Sequence, residues 1–244
     1  MLLVTGAAAA EPLEVKHHQG EVHAFLAIRS DEGKLLGMAD VVNVSTGKTW
    51  QSRLTIHFRD GSVDDDTTVY TQTSVFRLLS DHHVQKGPTF PTPSDVTIDV
   101  AKGDVTYCEC KDGKDELKTE HMDLPADLGN GMMPMLLQNM PKGSEEIKVG
   151  YLVTNPKPRL VKLAIHPEGS DTYHVGGVAR SAAKYRLHID IGGIAGVVAP
   201  IIGKEPPDLT AWITSGAAPT FLKINSFLYL GGPMLQMELA SPSW

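Results

Sequence analysis

Alternating apolar and polar residues on either side of an acidic turn, between positions 50 and 79, constrain the fold of this chain most. Because successive strand side chains point to opposite faces, alternation predicts a strand with one buried face. Asp60-Gly61 favours a hairpin turn, and we expect residues 63–66 to lengthen the loop before strand sequence resumes at Thr67. The prediction is an antiparallel hairpin whose first strand buries three residues together: Leu54, Ile56 and Phe58.

Short segments of strand-forming residues recur along the rest of the chain, separated by turn residues. One pair of them flanks Asp112-Gly113, which predicts a second hairpin. The pattern predicts a mainly β protein: a large curved antiparallel sheet or partly open barrel, with one or two short helices packed on it. The further segments are 21–29, 34–44, 96–100, 104–111, 117–122, 147–154, 159–166, 172–178, 184–191, 208–214, 220–228 and 234–239.

Length and charge limit the classes of protein to which the chain can belong. With 244 residues, 41% of them hydrophobic, it can bury a sizeable core. We expect residues 11–244 to form a single β-rich domain, with a sub-boundary near 141–146 as the alternative. The net charge of -7 and the lack of a lysine or arginine cluster disfavour nucleic-acid binding. No run approaches the roughly 20 apolar residues that a membrane-spanning helix needs.

The first ten residues resemble the end of a secretion signal. An apolar start is followed by an Ala-x-Ala step at Ala8 to Ala10 and then by Glu11-Pro12, although a basic segment is missing. We expect residues 1–10 to be a signal-peptide remnant and the protein to be periplasmic or secreted; an ordinary N-terminus of small residues is the alternative. Cys108 and Cys110 lie too close in one strand for an easy disulfide bond to be expected, so they do not settle the compartment.

A methionine-rich segment over residues 132–140 predicts a short helix that must be covered on most sides. Methionine fills irregular cores, and it also lines adaptable apolar ligand sites. The glycine-rich segment 192–203 is either a buried crossover or a mobile flap over such a cavity. The candidate ligand-binding residues combine this helix with aromatic residues that follow the glycine-rich segment: Met133, Met135, Leu136, Met140, Trp212 and Phe221.

Four residues are candidates for a metal site, because neutral imidazole and carboxylate groups bind zinc: His57, Asp81, His82 and His83. Adjacent strand residues point oppositely, so His82 and His83 can share an ion only if the chain turns between them. We expect solvated loop histidines and no cofactor, with zinc and a metal-assisted hydrolase as the alternative. Residues 64–66 are expected to form an exposed loop, with calcium binding as the alternative. The sequence contains no standard hydrolase or nucleotide motif.

The central segment Leu124-Pro125-x-Asp127-x-x-Asn130-Gly131, set between two series of strands, resembles a group of uncharacterised exported bacterial proteins. These are similar in outline to the lipoprotein-carrier fold, a curved antiparallel sheet around helices. The resemblance implies a periplasmic setting and an apolar ligand, and it transfers no catalytic residue. We therefore expect an exported non-catalytic protein that binds an apolar or amphipathic molecule or a cell-envelope component. The alternatives are the hydrolase and a structural partner-binding module.

Overall fold

The structure is a computed structural model that describes residues 12–111, 114–141, 143–154, 157–175, 178–190 and 206–240. The expected signal remnant, the turn at 112–113 and the glycine-rich segment 192–203 lie outside the described residues. No helix within the described ranges is long and apolar enough to cross a membrane.

The described chain contains fourteen strands and one short helix, which confirms the prediction of a mainly β protein. The first eight strands are β1 (Val22–Ser30), β2 (Leu35–Ser45), β3 (Trp50–Phe58), β4 (Val63–Gln72), β5 (Phe76–Lys86), β6 (Ser94–Asp99), β7 (Asp104–Lys111) and β8 (Lys114–His121). They are followed by α1 (Met133–Gln138), β9 (Ile147–Val153), β10 (Arg159–Val175), β11 (Val178–Asp190), β12 (Leu209–Thr214), β13 (Phe221–Ser226) and β14 (Leu235–Leu239).

All fourteen strands form one antiparallel sheet in the order β8-β7-β6-β5-β4-β3-β2-β1-β14-β13-β12-β11-β10-β9. Each half of the chain is a meander, and the halves join where β1 pairs with β14, with Leu26 opposite Leu239. The edge strands β8 and β9 are not neighbours in this order. The sheet is therefore open, and strands from both sides of the 141–146 segment belong to it.

The main core shows that the sheet curves around the segment between β8 and β9. Buried residues of β4 to β7, such as Tyr70 and Ile98, belong to the same cluster as Leu163 and Ile213 of the other half. Between them lie buried side chains of the central segment: Leu128, Met132, Met135, Leu136, Leu137 and Met140. We call residues 124–140 the plug, because they fill the space that the curved sheet encloses.

Two polar residues attach the plug to the edge strand β9. Asp127 Oδ2 accepts hydrogen bonds from the Gly150 amide at 3.0 Å and from Lys162 Nζ at 3.1 Å. Asn130 exchanges two hydrogen bonds with the backbone of Leu152, at 2.9 and 2.8 Å. These contacts give the Asp and Asn of the central motif a structural role, since they cover a sheet edge that would otherwise expose backbone groups.

The segment that precedes β1 is held by buried side-chain amides. Asn139 Oδ1, at the end of α1, accepts hydrogen bonds from the backbone amides of Lys16 and His17 at 2.8 and 2.6 Å. Gln72 exchanges two hydrogen bonds with the backbone of Gln19, at 2.6 and 2.8 Å. Residues 13–19 are therefore fastened across the plug and β4.

The hairpin predicted around Asp60-Gly61 is present, and Gly61 adopts a φ of 86°. Ile56 and Phe58 are buried and Leu54 packs against the same cluster. However, the expected loop over residues 63–66 is wrong, because β4 begins at Val63. The expected loop around His82 and His83 is also wrong, since both residues lie in β5. Both corrections concern polar residues whose low strand propensity is outweighed by pairing with neighbouring strands.

Candidate functional site

A β-bulge in β5 brings two ionisable residues, Asp81 and His83, to the inner face of the sheet, beside Asp64 and Asp66 of β4. In the β4–β5 register Tyr70 is opposite Leu78 and Val69 is opposite Ser80, so that Leu79 is left without a partner. This extra residue shifts the alternation of β5, since a bulge re-aims the side chains beyond it. The inward residues opposite one another are then Asp66 and His83, Thr68 and Asp81, and Asp64 and Gln85. We call Asp64, Asp66, Asp81 and His83 the inner acid cluster.

Hydrogen bonds connect the cluster to its neighbours. His83 Nε2 lies 3.0 Å from Asp64 Oδ1. Thr68 Oγ1 donates to Asp81 Oδ1 at 2.9 Å, and Gln85 Nε2 donates to Asp64 Oδ2 at 2.7 Å. Asp66 Oδ1, in contrast, is shut off from solvent and has no hydrogen-bond partner. The cluster thus combines satisfied carboxylate oxygens with one that is buried and unpaired.

Burial and mutual charge shift the proton affinities of these groups. Burial and the charge of Asp81 raise the pKa of Asp66 well above its usual range. Burial also raises the pKa of Asp81, while its hydrogen bonds with Thr68 and Asp66 oppose that shift. Burial alone would lower the pKa of His83, but the hydrogen bond to Asp64 and the three aspartate charges raise it to about 9. All three pKa shifts favour the proton-bound forms of these side chains.

The plug covers the cluster closely. Gly131 has a φ of 65°, and a Cβ atom at this position would lie 2.6 Å from Asp81 Oδ1 and overlap Thr68 Oγ1. Tyr151 of β9 faces the cluster from the other half of the sheet, and burial together with the charges of Asp66, Asp81 and Asp64 raises its pKa. The cluster is therefore packed between the two halves of the sheet, and this packing leaves little room for a substrate beside its carboxyl groups.

The metal-site candidates are divided between the two faces of the sheet. Asp81 and His83 point inward, whereas His82 is exposed with its Nε2 3.0 Å from Asp95 Oδ1. His57 lies on the outer face, in a shallow polar groove of about 570 Å³ between β2, β3 and β4. Nowhere in the described ranges do three His, Cys, Asp or Glu residues form a group that could hold a metal ion. The geometry thus gives the metal-assisted hydrolase no support.

The ligand-site candidates are divided as well. Met135, Leu136 and Met140 are close-packed in the core and Met133 packs against it. Trp212 points to the outer face, where its Nε1 donates to Asp171 Oδ2 at 2.8 Å and Lys223 Nζ lies 4.4 Å from its ring centroid. Phe221 lies between the two core clusters. The structure brings the plug residues together but not Trp212.

An apolar groove of about 430 Å³ opens at one end of the sheet. The ends of β2, β3 and β14 and two loops form it. We call it the rim groove; its lining residues are Lys34, Leu35, Leu36, Phe58, Arg59, Asp60, Thr89, Leu228, Tyr229, Pro233 and Leu235. Its floor is firm, because Phe90 beneath it stacks edge-on against Phe58 and Tyr229 with ring centroids 5.9 and 6.0 Å apart. This groove is not predictable from local sequence patterns, because its walls come from segments far apart in the chain.

Cys108 is disulfide-bonded, which contradicts the expectation from its position in the strand.

Comparison with known proteins yields a structural likeness. No protein-family model and no curated protein matches the sequence. The fold is similar to a crystal structure described as a β-barrel-like protein of the domain of unknown function DUF1849 from Brucella abortus. The two share 8% sequence identity with a TM-score of 0.45, over 91% of this chain and 98% of that chain. This is a likeness of outline between two β proteins.

Proposed function

We propose that this chain is an exported, non-catalytic protein that binds an apolar or amphipathic ligand or cell-envelope component, and that the rim groove is the binding site. The observation that carries the proposal is the groove itself. It is concave and mainly apolar, and its volume of about 430 Å³ lies within the usual range for small-molecule sites. The methionine-rich plug, for which the sequence left core packing and a ligand site as alternatives, is filled by its own side chains.

The inner acid cluster and the two grooves occupy different parts of the described structure. The strongly perturbed acids lie behind Gly131 in the packed interior, and neither the rim groove nor the outer-face groove is lined by a member of the inner acid cluster. A general acid or base must come within hydrogen-bond reach of the atom that it protonates or deprotonates. Binding by shape and apolar contact requires no such residue.

Export is supported by the apolar, alanine-rich start of the sequence and by the disulfide bond at Cys108, since disulfides persist mainly in oxidising compartments. Expression of the chain from Met1 in a Gram-negative host, followed by cell fractionation and intact-mass measurement, tests this part. We expect periplasmic protein shortened by about ten residues. Full-length protein retained in the cytoplasm would contradict the interpretation of residues 1–10 as a signal without affecting the groove.

Titration of the delipidated protein with a neutral polarity-sensitive fluorophore tests the binding function. Leu35 is half-buried and lines the groove, so Leu35→Trp should block it and weaken probe binding at least tenfold. Leu117→Trp is the matched control, because Leu117 lies on edge strand β8 with 67% of its surface exposed. Both variants should unfold at the urea concentration of the parent. A parent protein that binds no probe and co-purifies with no amphiphile would instead favour the structural partner-binding module.

A further inference from the structure

Two cationic side chains stand exposed at the rim groove. Lys34 precedes β2 and Arg59 follows β3, and both are exposed and line the groove. Within the part of the chain that the structure describes, neither side chain makes a hydrogen bond or an ion pair. Backbone contacts hold both positions: the Lys34 carbonyl accepts from the Ser30 amide at 2.9 Å, and the Arg59 amide donates to the Leu36 carbonyl at 2.9 Å.

The carboxylate at the same rim is already occupied. Asp60 Oδ1 accepts from the Ser62 amide at 2.9 Å and Asp60 Oδ2 accepts from Thr89 Oγ1 at 2.8 Å. These hydrogen bonds, that from the Ser62 amide above all, lower the pKa of Asp60. The residues that line the rim groove include two cations and one carboxylate, which gives them a formal charge of +1 (2 minus 1). The whole chain has a net charge of -7. The groove is thus a locally cationic site on an acidic protein.

Below this rim the groove is apolar. Leu36, Leu228 and Leu235 form its aliphatic wall, and Phe58 and Tyr229 supply aromatic faces held by Phe90. A ligand that matches both parts carries an anionic head and an apolar chain. Each methylene that such a chain buries should tighten binding by about three- to fourfold.

We infer that the rim groove binds a single-chain anionic amphiphile of the long-chain carboxylate class, with its tail on the Phe58 and Tyr229 floor and its head between Lys34 and Arg59. The inference rests on the proposed binding function and adds to it the charge of the ligand. The carboxylate gains two cationic partners at a site that protein shields on one side, where ion pairs are stronger than in open water. Arginine can also hold a carboxylate through two parallel hydrogen bonds.

Displacement of the neutral fluorophore by three amphiphiles with the same twelve-carbon chain tests the inference. Laurate, dodecyl maltoside and dodecyltrimethylammonium are compared below their micelle concentrations on the delipidated full chain. We expect laurate to bind at least tenfold more tightly than the other two and to weaken as salt is raised. Butyrate should displace little probe, because it lacks the apolar tail.

Charge reversal of the rim gives the decisive comparison. The double variant Lys34→Glu with Arg59→Glu should weaken laurate binding at least tenfold and leave dodecyl maltoside binding unchanged. The control double variant Lys48→Glu with Lys157→Glu makes the same change in net charge at exposed lysines outside the groove. It should bind laurate like the parent.

Each outcome separates the two proposals. Equal affinity for laurate and maltoside, or an equal loss of both in the rim variant, overturns the anionic ligand and leaves the binding function standing. A second copy of the chain covers the groove if probe binding falls as the protein concentration rises and sedimentation shows a dimer. That result would also overturn the anionic ligand. Failure of every amphiphile to bind rejects the proposed function itself.

Discussion

Gln85 Nε2 donates to the backbone carbonyl of Leu228 at 2.9 Å, and the same nitrogen lies 2.7 Å from Asp64 Oδ2. This side chain links the inner acid cluster to a wall of the rim groove, because Leu228 lines the groove. Residues 85 and 228 are 143 positions apart in the sequence. The contact therefore also ties the first meander to the second.

Replacing this link should destabilise the protein. Gln85→Met removes the donor while keeping a similar volume, and it leaves Asp64 Oδ2 without its donor. An unsatisfied buried acceptor typically costs about 1 to 3 kcal/mol. Urea unfolding should show this loss, and the fluorophore should bind the groove more weakly. Gln51→Met is the control, because the Gln51 side chain makes no hydrogen bond in the described part of the chain. Equal stability of the two variants would show that the Gln85 contacts contribute nothing.

The stability of the protein should decrease from mildly acidic to alkaline pH. The pKa of His83 rises to about 9 in the folded protein, against about 6.5 in an unfolded chain. Its stabilising contribution is therefore fully present below pH 6.5 and is lost as the pH rises through about 9. Asp66 and Asp81 also have raised pKa values in the folded protein. Their contribution to folding stability is therefore present at a pH below the ordinary pKa of aspartate, and it is lost as the pH rises through the raised pKa values.

Urea unfolding between pH 5 and pH 10 measures this trend. The His83 side chain is 33% exposed, which lets solvent screen the interaction and reduces its size. We expect His83→Asn to flatten the profile above pH 6.5. His82→Asn, on the outer face, should keep most of the slope. A parent protein that gains stability on going from pH 6 to pH 9 would contradict this assignment.

Gly131→Ala should be strongly destabilising, because two costs combine at this position. Alanine is strained at a φ of 65°, and its Cβ would collide with the Thr68 and Asp81 pair. Backbone strain of about 1 to 2 kcal/mol and overpacking of about 1 to 3 kcal/mol together predict a loss of about 2 to 5 kcal/mol. Gly33→Ala isolates the backbone cost, since Gly33 has a φ of 83° and open space around it. Equal losses at both glycines would rule out close packing of the plug on the cluster.

Leu136→Trp tests whether the plug is solid core. Leu136 is only 3% exposed and belongs to the main cluster, so the larger ring has no space to enter. We expect a loss of about 1 to 3 kcal/mol in the free energy of unfolding, as overpacking usually causes. Affinity of the rim groove for the fluorophore should stay unchanged. Loss of probe binding with unchanged stability would place the ligand site at the plug instead.

Local chemistry was enough to predict the strand-rich class, the hairpin at Asp60-Gly61 and a short helix near Met135. Alternation reports which side chains share a face, and glycine at a turn reports a positive φ, so these elements depend on neighbouring residues in the sequence. The same local rules failed for Asp64 and Asp66. Aspartate is rare in strands, and only pairing with β3 and β5 holds these residues in β4.

Long-range packing decided the inner acid cluster and the rim groove. The bulge at Leu79 turns Asp81 and His83 inward and His82 outward, and it arises from the register between two strands rather than from a turn residue. The rim groove joins segments near positions 35, 59, 89, 228 and 235, and the pairing of β1 with β14 brings the two halves of the chain side by side. Such sites come from contacts between distant segments, and residue order alone does not reveal which segments will meet.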